Sequence, residues 1–382
     1  MSEHNFIDKL LDGVEVEWKP LGDDVFFEVA NSGRKPVKAS LREHGEIPYY
    51  GANNIQDYVS GYTHDGEFVL IAEDGSASLE NYSIQYADGK FWANNHVHVV
   101  RGNACVNTRF LYHYLTTVNF IPFLTGGGRP KLTKGNMVDI QIPIPCPNNP
   151  EKSLAIQGEI VRILDSFTEL TAELTAELTA RKQQYHHYRD QLLTFNDDQV
   201  EWKPLGELAE NLDSKRKPIT SGLREAGYIQ YYGASGIVDY VKDFIFDEDL
   251  LLISEDGANL LARNTPIAFS ISGKTWVNNH AHVLKFDTYA ERRYIEYYLN
   301  SIDLTNYISG AAQPKLNKKN LENIRIPNPS LNEKARIVAI LDKFDALTTS
   351  LTEGLPREIQ LRQQQYEYYR DLLLSFPKSV EV

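Results

Sequence analysis

The sequence contains little cysteine, no long apolar run and no excess of positive charge. Its two cysteines, Cys105 and Cys146, are too few for a cysteine-based zinc site and favour a reducing cytoplasm. There is no stretch of 18 apolar residues, so a membrane span is not expected. The acidic amino-terminal segment lacks the apolar core of a signal peptide, which argues against secretion. The formal net charge of −13 argues against a protein that coats nucleic acid unaided.

Repeated motifs decide how the chain is organised. Its 382 residues are enough for two or three domains. Motifs of the first half return in the same order in the second half, which excludes chance and indicates two copies of a unit of about 180 residues. The matched motifs are VEWKPLG at Val16 and Val200, YYGA at Tyr49 and Tyr231, EDG at Glu73 and Glu255, NNHxH at Asn94 and Asn278, PKL at Pro130 and Pro314, IVxILD at Ile160 and Ile337, and QQYxxYRD at Gln183 and Gln364.

Each copy has two parts with different periodicity. Residues 1–150 and 200–330 mix short β-rich runs with Gly, Asn and Asp turns, which predicts a compact α+β globule in each copy. Residues 151–199 and 331–382 predict long helices, which begin after proline-rich segments. Expected strands inside the globules are 68–72, 97–100 and 250–254, and expected helices are 109–121 and 291–308.

Apolar and aromatic residues recur along both long helices at alternating steps of three and four. This spacing is a heptad stripe, typical of helices that pack against one another. The second copy carries a four-residue insertion, a stutter, near Gly354 and Pro356, where we expect a kink or a break. The residues expected to pack helix against helix are Leu164, Phe167, Leu174, Leu178, Tyr185, Tyr188, Leu192, Leu341, Phe344, Leu351, Leu355, Tyr366, Tyr369 and Leu373.

The two ends of the chain extend this picture. Residues 9–22 resemble residues 191–206, which close the first long helix, so the chain begins with the tail of a unit. This circular arrangement suits two globules at opposite ends of an antiparallel helix pair. The expected fold is therefore α+β: two α/β globules separated by two long antiparallel helices in a coiled-coil-like pair, with an internal pseudo-twofold.

Several of these motifs resemble the specificity subunit of type I restriction–modification enzymes, particularly the type IC branch. The match rests on LLDGVEVEW from Leu10, the TAEL repeats at Thr171 and Thr175, and QYHHYRDQLLTF from Gln184, and it spans the whole chain. The resemblance implies target-recognition domains at 1–150 and 200–330 and conserved helical spacers at 151–199 and 331–382. In that family the number of TAEL copies varies together with the length of an unread DNA spacer.

The same resemblance implies partners and a chain that is not catalytic by itself. Members of the family read double-stranded DNA and dock two methyltransferase subunits, which use S-adenosylmethionine. Through these they bind restriction–translocase subunits, which use ATP and Mg²⁺. No cofactor, metal or membrane partner is expected for this chain, and its expected location is the cytoplasm. The motifs agree, because the chain has no NPPY-type methyltransferase motif and Gly126–Gly128 is followed by RPK rather than by the GK[ST] of a P-loop.

Basic residues indicate where DNA could bind. Residues 1–150 contain 12 basic and 18 acidic side chains, and residues 201–330 contain 15 and 17. A local patch can still bind phosphates, but partner subunits are expected to supply much of the backbone affinity. Base edges are read by Arg, Lys, Asn, Gln and acidic groups. The DNA-binding candidates are Arg34, Lys35, Lys38, Arg42, Asn94, Asn95, Arg129, Lys131 and Lys134 in the first copy, and Lys215, Arg216, Lys217, Arg224, Asn278, Asn279, Lys315, Lys318 and Lys319 in the second.

Two other interpretations stay open on the sequence alone. His96 and His98, and likewise His280 and His282, are two residues apart on an expected strand and would share one face. A duplicated metal-dependent hydrolase is therefore the alternative function, although no further Cys or His lies nearby to complete such a site. The acidic EDG motifs favour a turn or a cytosine-reading loop over a nuclease site, because no further carboxylates or lysine can be placed in register. The other alternative is a coiled-coil interaction scaffold without a role on DNA.

Overall fold

The computed structural model describes residues 13–128, 130–310 and 313–376. The chain forms two compact units, one of Met1–Leu174 together with Ile359–Val382 and the other of Thr175–Glu358. They are called here the first and the second unit. Each unit combines one globule with segments of long helix. Within these described ranges, no helix is both long enough and apolar enough to cross a membrane.

Among the described residues, the globule of the first unit contains twelve strands. These are β1 Val16–Pro20, β2 Phe27–Val29, β3 His44–Tyr50, β4 Ile55–Val59, β5 His64–Asp65, β6 Phe68–Ala72, β7 Ile84–Ala87, β8 Lys90–Ala93, β9 Val97–Gly102, β10 Leu124–Thr125, β11 Lys131–Leu132 and β12 Gln141–Pro145. Two four-stranded sheets have the orders β2-β9-β6-β7 and β4-β3-β8-β5. The pairing is antiparallel except between β3 and β8. Two-stranded ladders join β1 to β12 and β10 to β11.

The globule of the second unit repeats this design. Its strands are β13 Glu201–Pro204, β14 Glu210–Asn211, β15 Ala226–Gly233, β16 Gly236–Val241, β17 Phe246–Asp247, β18 Leu250–Ser254, β19 Ala268–Ile271, β20 Lys274–Val277, β21 Ala281–Lys285 and β22 Arg325–Asn328. Its four-stranded sheets have the orders β14-β21-β18-β19 and β16-β15-β20-β17, and β13 pairs with β22. The parallel pair is again the equivalent one, β15 with β20.

The strands β6 and β18 occupy the interior of their sheets. Every residue of both strands is buried, as expected for continuous apolar runs that are covered on both faces. One side of each strand faces the core beneath the globule's main helix, and the other faces the second sheet. The predicted strands at 68–72, 97–100 and 250–254 are confirmed.

Short helices complete the globules: α1 Thr108–Leu115 and α2 Lys134–Val138 in the first, then α4 Leu205–Leu208, α5 Asn259–Ala262, α6 Tyr289–Ser301 and α7 Lys318–Glu322 in the second. The predicted helices 109–121 and 291–308 were too long. After α1, Thr116 and Thr117 donate their hydroxyls to the carbonyls of His113 and Tyr114. Such local bonds compete with the helical ladder. In the second globule, the chain beyond Ser301 continues only as a single 3₁₀ turn, Thr305–Tyr307.

One long helix, α3 Pro150–Leu193, follows the first globule and has 44 residues. Its first residue is a proline, which suits a helix start because the missing N–H has no helical partner there. Asn149, just before it, accepts a hydrogen bond from the Lys152 amide, as helix-capping residues do. The proline-rich boundary thus marks the start of the helix, as the sequence predicted.

The second long helix is divided in two, α8 Leu331–Thr349 and α9 Gly354–Leu373. A break was predicted here, but it comes earlier than expected and includes Leu351, whose side chain is 74% exposed. The prediction that Leu351 packs helix against helix was wrong. Gly354 has φ +79°, and a Cβ there would lie 2.4 Å from the Ala346 carbonyl oxygen. A close backbone contact with the end of α8 therefore requires glycine.

Several other stripe residues pack within their own units. In the first unit, Leu164 is buried in a cluster with Leu373, and Phe167 stacks on Tyr369 with ring centroids 5.2 Å apart. In the second unit, Tyr188 stacks on Phe344 at 5.8 Å. Early residues of α3 thus meet the end of α9 inside one unit. The end of α3 meets α8 inside the other.

Candidate nucleic-acid interface

An acidic residue at the end of β6 links three distant segments of the first globule. Arg34 Nη1 lies 2.5 Å from Glu73 Oε2 and donates to the Val97 carbonyl at 2.8 Å. Lys131 Nζ lies 2.8 Å from Glu73 Oε1. The carboxylate is 14% exposed. We call these three residues the Arg34–Glu73–Lys131 clamp.

Two opposing effects act on the pKa of the Glu73 carboxyl. Burial raises the pKa of its carboxyl, but the hydrogen bonds from Lys131 and Arg34 outweigh burial, and the net pKa is lowered. The clamp is therefore an ionised structural contact. Two of the predicted DNA-binding residues, Arg34 and Lys131, already share a protein carboxylate.

The second globule has the equivalent clamp. Arg216 Nη1 lies 2.6 Å from Glu255 and donates to the Ala281 carbonyl at 2.7 Å, and Lys315 lies 3.1 Å from Glu255. Burial raises the pKa of the Glu255 carboxyl, but Arg216, His282 and Lys315 together lower it. Both EDG motifs thus serve the same structural purpose.

A second pair of arginines is held in the same way. Arg42 binds Asp57 at 3.2 Å with its guanidinium 4.1 Å from the centre of the Tyr49 ring. Arg224 binds Asp239 at 2.9 Å and covers Tyr231 at 4.4 Å. These arginines brace the hairpins β3–β4 and β15–β16. Their guanidinium groups are only partly available to an incoming phosphate.

The exposed lysines are different. Across the described parts of the chain, one set of them makes no ion pair, which leaves its ammonium groups available to phosphates. Its members are Lys35, Lys38, Lys134, Lys215, Lys217 and Lys319. Lys318 lies 3.6 Å from Glu322. Arg129 lies outside the described residues.

The paired asparagines also separate into two kinds. Asn94 and Asn278 are buried, and each accepts a hydrogen bond from the backbone amide two residues later. Asn95 and Asn279 are exposed. Of each pair, the second asparagine presents its amide to solvent, while the first holds the turn.

The two histidines of each NNHxH motif do not share a face, so that prediction was wrong. His96 precedes β9, is exposed, and bonds to Asp74 at 2.6 Å. His98 lies inside β9, is fully buried, and donates from Nε2 to the Leu132 carbonyl at 2.8 Å. Because the strand begins at Val97, the alternation of side chains starts after His96.

One cluster in the second globule has the composition of a metal site. Asp213, Glu255 and His282 bring potential ligand atoms within 4.8 Å of one another. Arg216 already pairs with both carboxylates of this cluster, at 2.6 Å from Glu255 and 3.5 Å from Asp213. Its guanidinium supplies the positive charge that a metal ion would bring. Asp213 also bonds to His282 at 2.6 Å, so the cluster is satisfied by protein groups.

Sequence reasoning missed the residues that connect each globule to a long helix. Asp165 on α3 binds Arg109 and His113 of α1, and Asp342 on α8 binds Arg293 and Tyr297 of α6. A usable signal was present in the sequence. Both aspartates belong to the repeated IVxILD motif. His113 follows Arg109 by four residues and Tyr297 follows Arg293 by four, so the two side chains that bind each aspartate lie on one helix face.

The first unit also contains buried histidines that the second lacks. Burial lowers the pKa of His64 and His113. Phe246 and Tyr297 occupy the positions of His64 and His113 in the second unit. The units should therefore respond differently to acid.

We expect acidification from pH 7.5 to about 5.5 to destabilise the first unit selectively. A histidine with a lowered folded-state pKa binds protons less readily than in the unfolded chain, whose ordinary value is about 6.5. Stability is therefore complete above that pH and is lost as the pH falls through it. The paired carboxyls, with lowered pKa values, lose their contribution only at lower pH.

Hydrogen exchange followed by mass spectrometry, corrected for intrinsic rates, would measure this difference peptide by peptide. The matched variant His64→Phe places the second unit's residue in the first, and it should weaken the pH dependence. Equal acid sensitivity of the two units would contradict the expectation.

Comparison with known families gives this geometry a context. The family model for the type I restriction modification DNA specificity domain matches the chain twice, at residues 14–181 and 198–361. The EcoR124I/EcoR124II specificity subunit of Escherichia coli is 38% identical, over 99% of this chain and 98% of its own length. A Haemophilus influenzae protein provisionally named as a type I restriction enzyme specificity subunit is 46% identical, over 98% and 99%.

Solved structures show the same fold. The type I restriction–modification S subunit from M. genitalium superposes with a TM-score of 0.65, at 15% identity, covering 97% of this chain and 98% of its own. The expected two-globule fold with a long helix is confirmed. The metal-dependent hydrolase alternative finds no support among these relatives.

Proposed function

This chain belongs to the family of type I restriction–modification specificity subunits, and from that premise we propose that each globule reads one half of a bipartite DNA target. The observation that carries the proposal is the duplication itself. Two matches to the specificity domain lie in one chain, and each contains the same clamp beside exposed, unpaired lysines.

The proposed roles of the segments follow the boundaries expected from the sequence. Residues 1–150 and 200–330 are the target-recognition domains in this proposal. Residues 151–199 and 331–382 are helical spacers that set the distance between half-sites and dock partner subunits. The continuous α3 and the stacked aromatic pairs on it support a rigid spacer.

The proposed partners are double-stranded DNA and two adenine methyltransferase subunits. Restriction–translocase subunits join through the methyltransferases. S-adenosylmethionine, ATP and Mg²⁺ serve those partners, and this chain contributes sequence reading without catalysis, in the cytoplasm. A net charge of −13 supports this dependence, since phosphate affinity must come largely from elsewhere.

Binding measurements test the proposal directly. The chain alone should bind DNA weakly and without sequence preference. Once assembled with its methyltransferase subunits it should prefer its target over random DNA by at least about a thousandfold. A complex that assembles but shows no preference would favour the alternative of an interaction scaffold without a role on DNA.

We further expect the two half-sites to share bases in roughly inverted order. The globules have in common YYGA, EDG, NNHxH and the segment Asp57–Val59, repeated at 239–241, which is more than a common fold requires. Mapping of methylated adenines would reveal the half-sites. Unrelated half-sites would count against this expectation.

A further inference from the structure

One exposed turn carries different side chains in the two globules. Residues 49–59 and 231–241 agree at every position except three. Asn53, Asn54 and Gln56 in the first globule are replaced by Ser235, Gly236 and Val238 in the second. All three first-globule side chains are exposed. They form the turn between β3 and β4 and the start of β4, here called the variable turn (residues 53–56).

A second stretch of divergence lies against this turn. After the shared EDG motif the first globule continues with residues 76–83 and the second with residues 258–267, which are unrelated in sequence. Asn53 ties the two stretches together. Its amide nitrogen donates to the Gly75 carbonyl at 2.7 Å, and its oxygen accepts from the Ala77 amide at 2.8 Å. Variable residues therefore form one connected surface.

A shared frame surrounds that surface. Glu73 of the clamp and Asp74, which bonds to His96, lie just before the divergent residues 76–83. Asn94, which caps the shared histidine turn, lies 3.5 Å from Gln56. The same frame is present in the second globule. Two related DNA-recognition domains that read different bases need such a constant frame with different side chains on it.

The polar groups of the variable turn are not equally available. Both polar ends of the Asn53 amide are used inside the protein, so Asn53 is a positioning residue. The Asn54 oxygen accepts from the next amide, which leaves its nitrogen available. Within the part of the chain that the structure describes, Gln56 makes one long hydrogen bond, to Asn94, and retains donor and acceptor capacity.

Gln56 is also held in place. A Cβ on Gly51 would lie 2.0 Å from Gln56 Nε2, so the glutamine side chain lies directly across that glycine. Gln85 donates to the Gly51 carbonyl at 3.0 Å, on the segment that leads into the variable turn. A pre-positioned side-chain amide loses little freedom on binding.

From this arrangement we infer that Gln56, with Asn54, reads base edges in the first half-site. This contact would make the bases of the first half-site differ from those of the second. The inference rests on the proposed function. A glutamine amide can bond bidentately to adenine N6 and N7 in the major groove. Val238, at the same position in the second globule, has no hydrogen-bonding side chain and can meet only an apolar group such as a thymine methyl. Shared frame residues would account for shared bases.

The test uses the full complex with methyltransferase subunits. Gln56→Glu preserves size but leaves a carboxylate that only accepts hydrogen bonds. We expect methylation of the original target to fall about tenfold to a hundredfold, with changed preference at one base of the first half-site. The second half-site and the spacer should stay as they were. Asn53→Ser, Asn54→Gly and Gln56→Val together should move that base preference toward the second half-site.

Val238→Gln is the matched control, and it should alter the second half-site only. Gln56→Glu with an unchanged target would overturn the inference, and so would a change in the second half-site. Failure of the proposed function looks different, because the wild-type complex would then show no bipartite preference at all.

Discussion

Insertion of one TAEL unit after Leu178 is expected to lengthen the unread spacer of the target by about one base pair and to leave both half-sites unchanged. Both existing TAEL repeats lie inside α3, so the insertion extends a continuous helix. Four residues add about 6 Å and about 40° beyond a full turn. B-DNA advances about 3.4 Å and about 34° per base pair, so the rotation matches one base pair.

Mapping of methylated adenines in cells that carry the insertion variant would measure the spacer. Methylation of the original target should fall to background, and a target with one more unread base pair should replace it. Thr175→Ala, which keeps the helix length, is the control and should preserve the spacer. A blurred or unchanged spacer, or altered half-site bases, would show that the helices do not set the distance.

Asp165→Ala should cost the first unit about 3 kcal/mol of unfolding free energy. His113 is fully buried, its Nδ1 has no hydrogen-bond partner among the described residues, and its Nε2 donates to Asp165 at 2.8 Å. Arg109 relies on the same carboxylate at 2.9 Å. Removing Asp165 therefore leaves a buried ring with no hydrogen bond and a guanidinium without its counter-ion.

The equivalent change in the second unit should be milder. After Asp342→Ala, Arg293 still has Glu296 at 2.6 Å and Asp345 at 3.1 Å, so we expect a loss of about 1 kcal/mol. Urea titrations with hydrogen exchange of peptides from each unit would give the two values. Asp165→Asn keeps an acceptor for His113, so its loss of unfolding free energy should lie between these two values. Equal losses in the two units would refute the assigned roles.

The duplication and the long helices could be predicted from the sequence because both are local or periodic signals. Motif order identified two copies, and three–four spacing identified the stripe that buries Leu164 and Leu341. Leu351 fits the same periodicity, yet it lies in the break. The backbone contact at Gly354 that fixes this break joins segments whose packing no periodic pattern encodes.

The reading surface could be predicted only in part. Matched basic clusters were visible, but their division into clamp residues and unpaired lysines was not. Arg34 meets Glu73 across 39 residues of chain, and such long-range ion pairs leave no local pattern. The differences between the copies at 53–56 were present in the sequence. Their assignment to a DNA-reading surface depends on the exposure of these side chains and on the hydrogen bonds of Asn53.

The central claim is that this chain specifies a bipartite DNA target, and mapping of methylated adenines tests it most directly. The chain would be expressed with the methyltransferase subunit of its system in a strain without other adenine methylation. We predict one motif with two short half-sites separated by a fixed number of unread base pairs. Methylation without a motif, or at one continuous motif, would contradict the account.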